Sequence, residues 1–257
     1  MDSVALSTAS ASLIVPDDWA QGRTVYGGLQ AALAMKAMEA QVEPERLLRT
    51  FQAAFIGPVN PGAITADAAI MRKGKSSTQV SADIEHDDRK HFSALAIFAQ
   101  ERQSTIRHLP KAPPPSAAFE QCEEGRVDDN TYSPFNPHML SRWPPGLQPY
   151  VGATNNRFTV YVRHRDDTVT SSAHFVALAD AIPPIAVTQL KDFAPLSTMT
   201  WQLDVQQPIA ALADETWFRF DIEIDACRDG YCTQSTHIWT LAGDLVAVSR
   251  QNIAVFG

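Results

Sequence analysis

The chain repeats its own pattern. Its first half carries a mostly apolar run, Leu29 to Ala40, followed by four stretches of strand character: Leu47 to Ile56, Ala63 to Arg72, Thr78 to His86 and His91 to Gln100. Breakers separate them at Gly57-Pro58, at Lys73-Gly74-Lys75-Ser76 and at Asp87-Asp88. The second half opens with a strand candidate, Arg157 to His164, and a second apolar run, Ala173 to Leu190. Four more strand candidates follow: Leu196 to Val205, Thr216 to Cys227, Tyr231 to Leu241 and Leu245 to Val255. The correspondence reaches single residues, since Phe51-Gln52-Ala53-Ala54-Phe55-Ile56-Gly57-Pro58 resembles Trp201-Gln202-Leu203-Asp204-Val205-Gln206-Gln207-Pro208. A duplicated unit of roughly 110 to 130 residues accounts for this, and such self-similarity outranks local assignments when a fold is chosen.

The Leu29–Ala40 run is rich in alanine, leucine and methionine and has no polar stripe, so it predicts a helix covered on most sides. An antiparallel sheet that curls around the helix covers it, and a second unit covers the sheet surface left over. The expected fold is α+β: a tandem, or double, hotdog in which each half is a central apolar helix wrapped by a curved antiparallel sheet. Nine of the 17 prolines fall between residues 104 and 153, where ladder hydrogen bonds are then scarce. The expected organisation is a first unit over 1–103, a proline-rich connector over 104–153 and a second unit over 154–257. Hotdog units bury further sheet surface by association, so a homodimer is expected.

Composition narrows the class. The formal net charge of −8 repels phosphate backbones, which argues against nucleic acid as a general partner. The first residues lack a basic segment followed by an apolar core, and no run of eighteen apolar residues occurs, so neither a secretory signal nor a membrane span is expected. The default address is the cytoplasm. Cys227 and Cys232 flank Arg228-Asp229-Gly230-Tyr231 and could face each other across a hairpin; they read as two small reduced hydrophobes. No zinc ligand set, no His-Glu-x-x-His helix and no Gly-x-Ser-x-Gly elbow is present.

Three segments carry a resemblance: Tyr26-Gly27-Gly28 before the helix, Met71-Arg72-Lys73-Gly74-Lys75-Ser76-Ser77-Thr78, and Gly243-Asp244-Leu245-Val246-Ala247-Val248-Ser249-Arg250-Gln251. They resemble the acyl-CoA thioesterase II family and related thioesterase-like proteins, over nearly the whole chain except the connector. The resemblance implies hydrolysis of a fatty acyl-CoA or related acyl thioester in lipid metabolism, without metal or cofactor. It also implies a water held by an aspartate, a threonine or serine, and a glutamine, which map to Asp180, Thr198 and Gln251 of the second unit. The chain departs from the family where an acidic residue and a histidine often follow the threonine, having Thr200 and Trp201.

The residues have readings of their own. Leu245, Ala247, Ser249, Gln251, Ile253 and Val255 share one strand face, so the Gln251 carboxamide must find partners in an apolar row, either in a site or on nearby backbone. Asp180 interrupts an apolar run, as a site carboxylate or as the N-cap of a helix opened by Pro183-Pro184. Alternation puts Thr198 opposite Trp201, Leu203 and Val205, facing away from the helix unless a bulge re-aims it. Gly27 and Gly28 are candidate amide donors to a carbonyl oxygen, or a tight strand-to-helix turn. Lys73-Gly74-Lys75-Ser76 reads as a hairpin tip that could lie near a CoA phosphate. A thioester needs no serine nucleophile, because a water polarised by a carboxylate can attack it. The alternative is a non-catalytic module that binds acyl-CoA or lipid. A hydratase on the same fold is disfavoured, because relatives of that kind carry an aspartate five residues before a histidine and this chain has no such pair.

Overall fold

A computed structural model describes residues 8–125, 133–166, 169 and 171–256. The first half contains β1 (Thr8–Val15), the small pair β2 (Ala20–Gln21) and β3 (Thr24–Val25), α1 (Gly27–Glu39), β4 (Leu47–Phe55), β5 (Gly62–Lys73), β6 (Ser77–His86) and β7 (Arg89–Ala99). The second contains β8 (Glu123–Glu124), β9 (Met139–Trp143), β10 (Arg157–His164), α2 (Ser172–Ala179), β11 (Leu196–Val205), β12 (Phe218–Arg228), β13 (Tyr231–Thr240) and β14 (Leu245–Val255). Twelve strands form one antiparallel sheet in the order β1-β5-β6-β7-β4-β11-β14-β13-β12-β10-β9-β8.

Read outward from its middle, the sheet has the same order on both sides. From β4 the strands run β7, β6, β5 and β1; from β11 they run β14, β13, β12 and β10. At the β4–β11 join Gln52 lies opposite Gln202, flanked by Phe51 opposite Leu203 and Ala53 opposite Trp201. The two glutamines that match in the sequence repeat are therefore each other's partners, as a two-fold relation at that point requires. The register slips once between Leu48 and Thr50 on β4 and once between Thr198 and Thr200 on β11, at the same place in each half.

Helix α1 is apolar almost all round, and Ala31, Ala34, Met35, Ala37 and Met38 are fully buried. It packs against α2 and against β1, β5, β6 and β7, and one hydrophobic core runs through both halves. The second helix is shorter than its apolar run suggests, ending at Ala179 instead of Leu190. Pro183 and Pro184 cannot donate to helical carbonyls and restrict the residues before them, so only one 3₁₀ turn, Ile185–Thr188, follows.

Part of the proline-rich stretch lies on the outer face of the sheet. Ser116 exchanges two hydrogen bonds with Thr159 of β10 (3.1 and 2.8 Å), and the Tyr161 hydroxyl donates to Ala117 O at 3.0 Å. Underneath, Thr159 donates to Asp221 at 2.7 Å, and Arg219 clasps the same carboxylate with two bonds of 2.9 and 2.7 Å. Both charged residues are only 8% exposed, because residues 116–122 cover them.

The hairpins close as their residues dictate. Asp229 and Gly230 both have positive φ (53° and 80°), the signature of a two-residue primed turn between β12 and β13. Cys227 and Cys232 stand directly opposite each other beside this turn and form a disulfide, so the pair read as reduced hydrophobes is joined. Asp87 and Asp88 turn β6 into β7 with φ of 49° and 57°, where glycine carries no steric cost. Asp88→Gly should therefore raise stability by about 0.5–1 kcal/mol, read as a higher urea midpoint at unchanged m-value. An unchanged or lower midpoint would show that the aspartate holds this turn by other means. Among the described residues no helix is long and apolar enough to cross a membrane.

Candidate active site

Asp180 is the first residue past α2. It is the C-cap of that helix, with φ −101° and ψ 4°, not the N-cap of a following one. Its carboxylate accepts the Gln251 Nε2–H at 2.9 Å and the backbone N–H of Gly28. The elements that meet here come from opposite ends of the chain: the start of α1, the end of α2 and the inner face of β14. The N-terminus of α1 favours negative charge, whereas the carbonyl end of α2 disfavours it. Burial is the largest influence and pushes the Asp180 carboxyl up to about 7, against the two hydrogen bonds that pull it down.

Gln251 is buried, as the strand alternation requires, and its partners are side chains. Beyond its bond to Asp180, its Oε1 accepts from Gln234 Nε2 of β13 at 3.3 Å. Thr198 lies opposite Ile253, two residues along from Gln251 on the same inner face. The bulge between Thr198 and Thr200 turns it inward, since unbroken alternation from Trp201 would have faced it outward. The Thr198 hydroxyl makes no hydrogen bond to Asp180 or Gln251, but all three lie near one cavity, which Thr198 and Asp180 line. Trp201, which stands where the resemblance places a histidine, is buried and donates Nε1–H to Ser249 at 2.8 Å.

Gly27 and Gly28 open α1 and are needed for close approach. A Cβ on Gly27 would meet Asp180 Oδ2 at 2.8 Å and the Phe55 ring at 2.9 Å; one on Gly28 would meet the Tyr26 hydroxyl at 2.4 Å. Gly28 N–H is turned to Asp180, which leaves Gly27 N–H as the other amide of the pair.

The cavity has a volume of about 1460 Å³. Phe55, Val162, Ile182, Val187 and Phe193 give it apolar wall, and Arg23, Arg142, Arg163 and Arg165 also line it. The hairpin tip Lys73–Ser76 is not part of its lining, and Lys73 is paired with Glu43. Among the described residues no cluster of three or more His, Cys, Asp or Glu could hold a metal ion.

Two further contributors, Tyr26 and Gln234, emerge from the structure. Tyr26 is fully buried, donates its hydroxyl to Ala177 O at 2.6 Å and stacks on Phe135, which ties the start of α1 to the last turn of α2. Burial, and then the nearby Asp180, raise its phenol well above the usual range. Nothing in Tyr26-Gly27-Gly28 signals that contact. Gln234 did leave a signal: Cys232, Gln234, Thr236 and Ile238 are the buried alternate residues of β13, so its carboxamide sits in an inward row just as that of Gln251 does.

Comparison with known proteins gives the fold and the family. A structure of a conserved hotdog-fold protein of unknown function from Alicyclobacillus acidocaldarius aligns with a TM-score of 0.84 at 20% identity, covering 98% of this chain and 96% of that one. A provisionally assigned thioesterase II from Thermobifida fusca YX aligns with a TM-score of 0.80 at 18% identity, covering 97% and 93%. An acyl-CoA thioesterase II from Mycobacterium marinum aligns with a TM-score of 0.68 at 16% identity, covering 91% and 90%. At these identities the likeness establishes the hotdog fold alone. No curated protein matches the sequence. The profile of the acyl-CoA thioesterase N-terminal domain matches residues 15–99, and that of the acyl-CoA thioesterase C-terminal domain matches residues 113–255, more than half of the chain. With both domains of one family present in order, the chain belongs to the acyl-CoA thioesterases.

Proposed function

We propose that the protein hydrolyses acyl-CoA thioesters with a water activated by Asp180. The observation that carries this reading is a buried carboxylate at a large, partly apolar cavity, held by two N–H donors and poised near neutrality. An ordinary surface aspartate is ionised but a weak base at pH 7; one brought up to about 7 is far better matched to taking a proton from water.

In this reading Asp180 accepts a proton as the water oxygen bonds to the thioester carbonyl carbon. Gln251 keeps the carboxylate aimed, and the Thr198 hydroxyl directs the water. Gly27 N–H, at the positive end of α1, meets the developing oxyanion. Collapse re-forms the carbonyl and breaks the carbon–sulfur bond; the thiolate leaves and takes the proton held by Asp180. The apolar wall takes the acyl chain, and the arginines of the lining attract the phosphates of CoA. The matching strand order on either side of β4 and β11 supports two tandem hotdog units, 1–103 and 154–257, with 104–153 between them. A cytoplasmic location and a homodimer belong to the same reading.

The test is thiol release from short, medium and long acyl-CoAs across pH. The base must be ionised to work, so kcat/KM should rise with pH through about 7 and level off above it. A rate already on its plateau at pH 5 would remove Asp180 from the role of base. No release from any acyl-CoA by folded protein would leave a module that binds acyl-CoA or lipid without cleaving it.

A further inference from the structure

Three carboxamide and backbone groups form a chain with only one sense. The N–H of Ile185 donates to Gln234 Oε1 at 2.8 Å, Gln234 Nε2–H donates to Gln251 Oε1 at 3.3 Å, and Gln251 Nε2–H donates to Asp180 Oδ1 at 2.9 Å. A glutamine can turn its amide over, exchanging donor for acceptor, but a backbone N–H can only donate. Because Pro183 and Pro184 have no N–H, Ile185 offers the first amide hydrogen of that turn, and it fixes which end of Gln234 faces it. Gln234 and Gln251 are 4% and 6% exposed, so a reversed amide in either would leave two donors or two acceptors facing each other away from water.

We infer that Gln234 is a positioning residue for thioester hydrolysis: it locks the Gln251 carboxamide with its NH2 group turned to Asp180. The inference rests on Asp180 being the base. Gln234 makes no hydrogen bond to Asp180 and does not line the cavity, so its effect on Asp180 passes through Gln251.

The lock matters most when Asp180 picks up a proton. Were Gln251 free to turn over, its Oε1 would accept the new Asp180 O–H, and the protonated, inactive form would be favoured. With Gln234 in place, that reversal sets the NH2 group of Gln251 against that of Gln234. The groups that act on Asp180 are the Gln251 amide of β14 and the Gly28 amide of α1, together with burial, and Tyr26 of α1 is the titratable side chain coupled to it.

The experiment compares Gln234→Met, which keeps volume but cannot donate, with Gln234→Glu, which still accepts from Ile185 but presents an acceptor to Gln251 Oε1. Both are measured beside the unmutated protein and Asp180→Asn for thiol release across pH, with melting temperature as a check on folding. For Gln234→Met we expect kcat at pH 7 to fall about 10-fold with KM within about 2-fold, and the acid limb to move up by about half to one pH unit. For Gln234→Glu the fall in kcat should be larger, about 100-fold. Unchanged kcat and acid limb in both variants, with Asp180→Asn inactive, would overturn the positioning role and leave the base assignment standing. A lower kcat that follows lost thermal stability, with the acid limb unmoved, would also overturn it, as a merely structural effect. Hydrolysis that survives Asp180→Asn would instead overturn the reading of the site.

Discussion

Asp180→Asn is expected to cut kcat for acyl-CoA hydrolysis by about 1000-fold or more, and to make the protein more stable at pH 8. The first effect follows from removing the proton acceptor while keeping the shape. The second follows from the sign of the pKa displacement. The carboxyl titrates near 7 in the folded protein against 3.8 for an unburied aspartate. Between those values the native state holds a proton that the unfolded chain has already released, so this group's contribution to stability falls as pH rises. Above about pH 7 the fold carries the full cost of a buried charge. The neutral amide escapes it, while losing the charge-assisted bonds from Gln251 and Gly28. Because burial outweighs those bonds in the native protein, the net change at pH 8 is a gain, about 1–3 kcal/mol. Urea midpoints of the two proteins should converge near pH 4, draw apart as pH rises from about 4 to about 7, and stay a constant distance apart above that. A variant that is inactive yet no more stable at pH 8 would mean that the carboxylate is better solvated than its surroundings imply.

The second large effect lies away from the cavity. Arg219→Met should cost about 3–5 kcal/mol, a substantial part of the stability of an ordinary domain. It leaves Asp221 buried under residues 116–122 with Thr159 as its remaining side-chain partner. The loss arises from stranding one charge more than from the worth of the pair. Replacing both, Arg219→Met with Asp221→Leu, should recover most of it, because an apolar pair of similar volume avoids two desolvation penalties. Equilibrium urea unfolding of the single and double variants distinguishes these outcomes. A single variant within about 1 kcal/mol of the parent would show that the covering segment opens to water.

The fold was legible because its strands alternate cleanly and its breakers are strong. β4 to β7 and β10 to β14 fall where periodicity and the glycine, proline and aspartate punctuation put them. What alternation cannot show is where it is interrupted. Thr198 read as outward-facing because a bulge adds a residue without any glycine to mark it. Asp180 read as a possible N-cap because two prolines suit a first helical turn; here they end α2 and leave the aspartate at its C-terminus. Gln251 was legible as a polar group in an apolar row, and the same test applied to β13 would have found Gln234. The meeting of Gly28 with Asp180 was not legible, since residues so far apart in sequence meet only through the packing of α1 on α2. The pairing of Cys227 with Cys232 needed the exact hairpin register, which a five-residue spacing alone does not give.

Three polar residues at the candidate site in the second half have apolar counterparts in the first. Thr198, Gln234 and Gln251 occupy the registers held by Leu48, Val80 and Ala96, all buried. Among the described residues, the place in the first half that corresponds to the proposed site is therefore filled by apolar side chains. The proposed site also draws on both halves, because one of the two N–H donors to Asp180, the Gly28 amide, comes from the helix of the first half. Either half expressed alone is therefore expected to release no thiol from acyl-CoA. On the proposed reading, one half can then serve as scaffold and amide donor while the other carries the base.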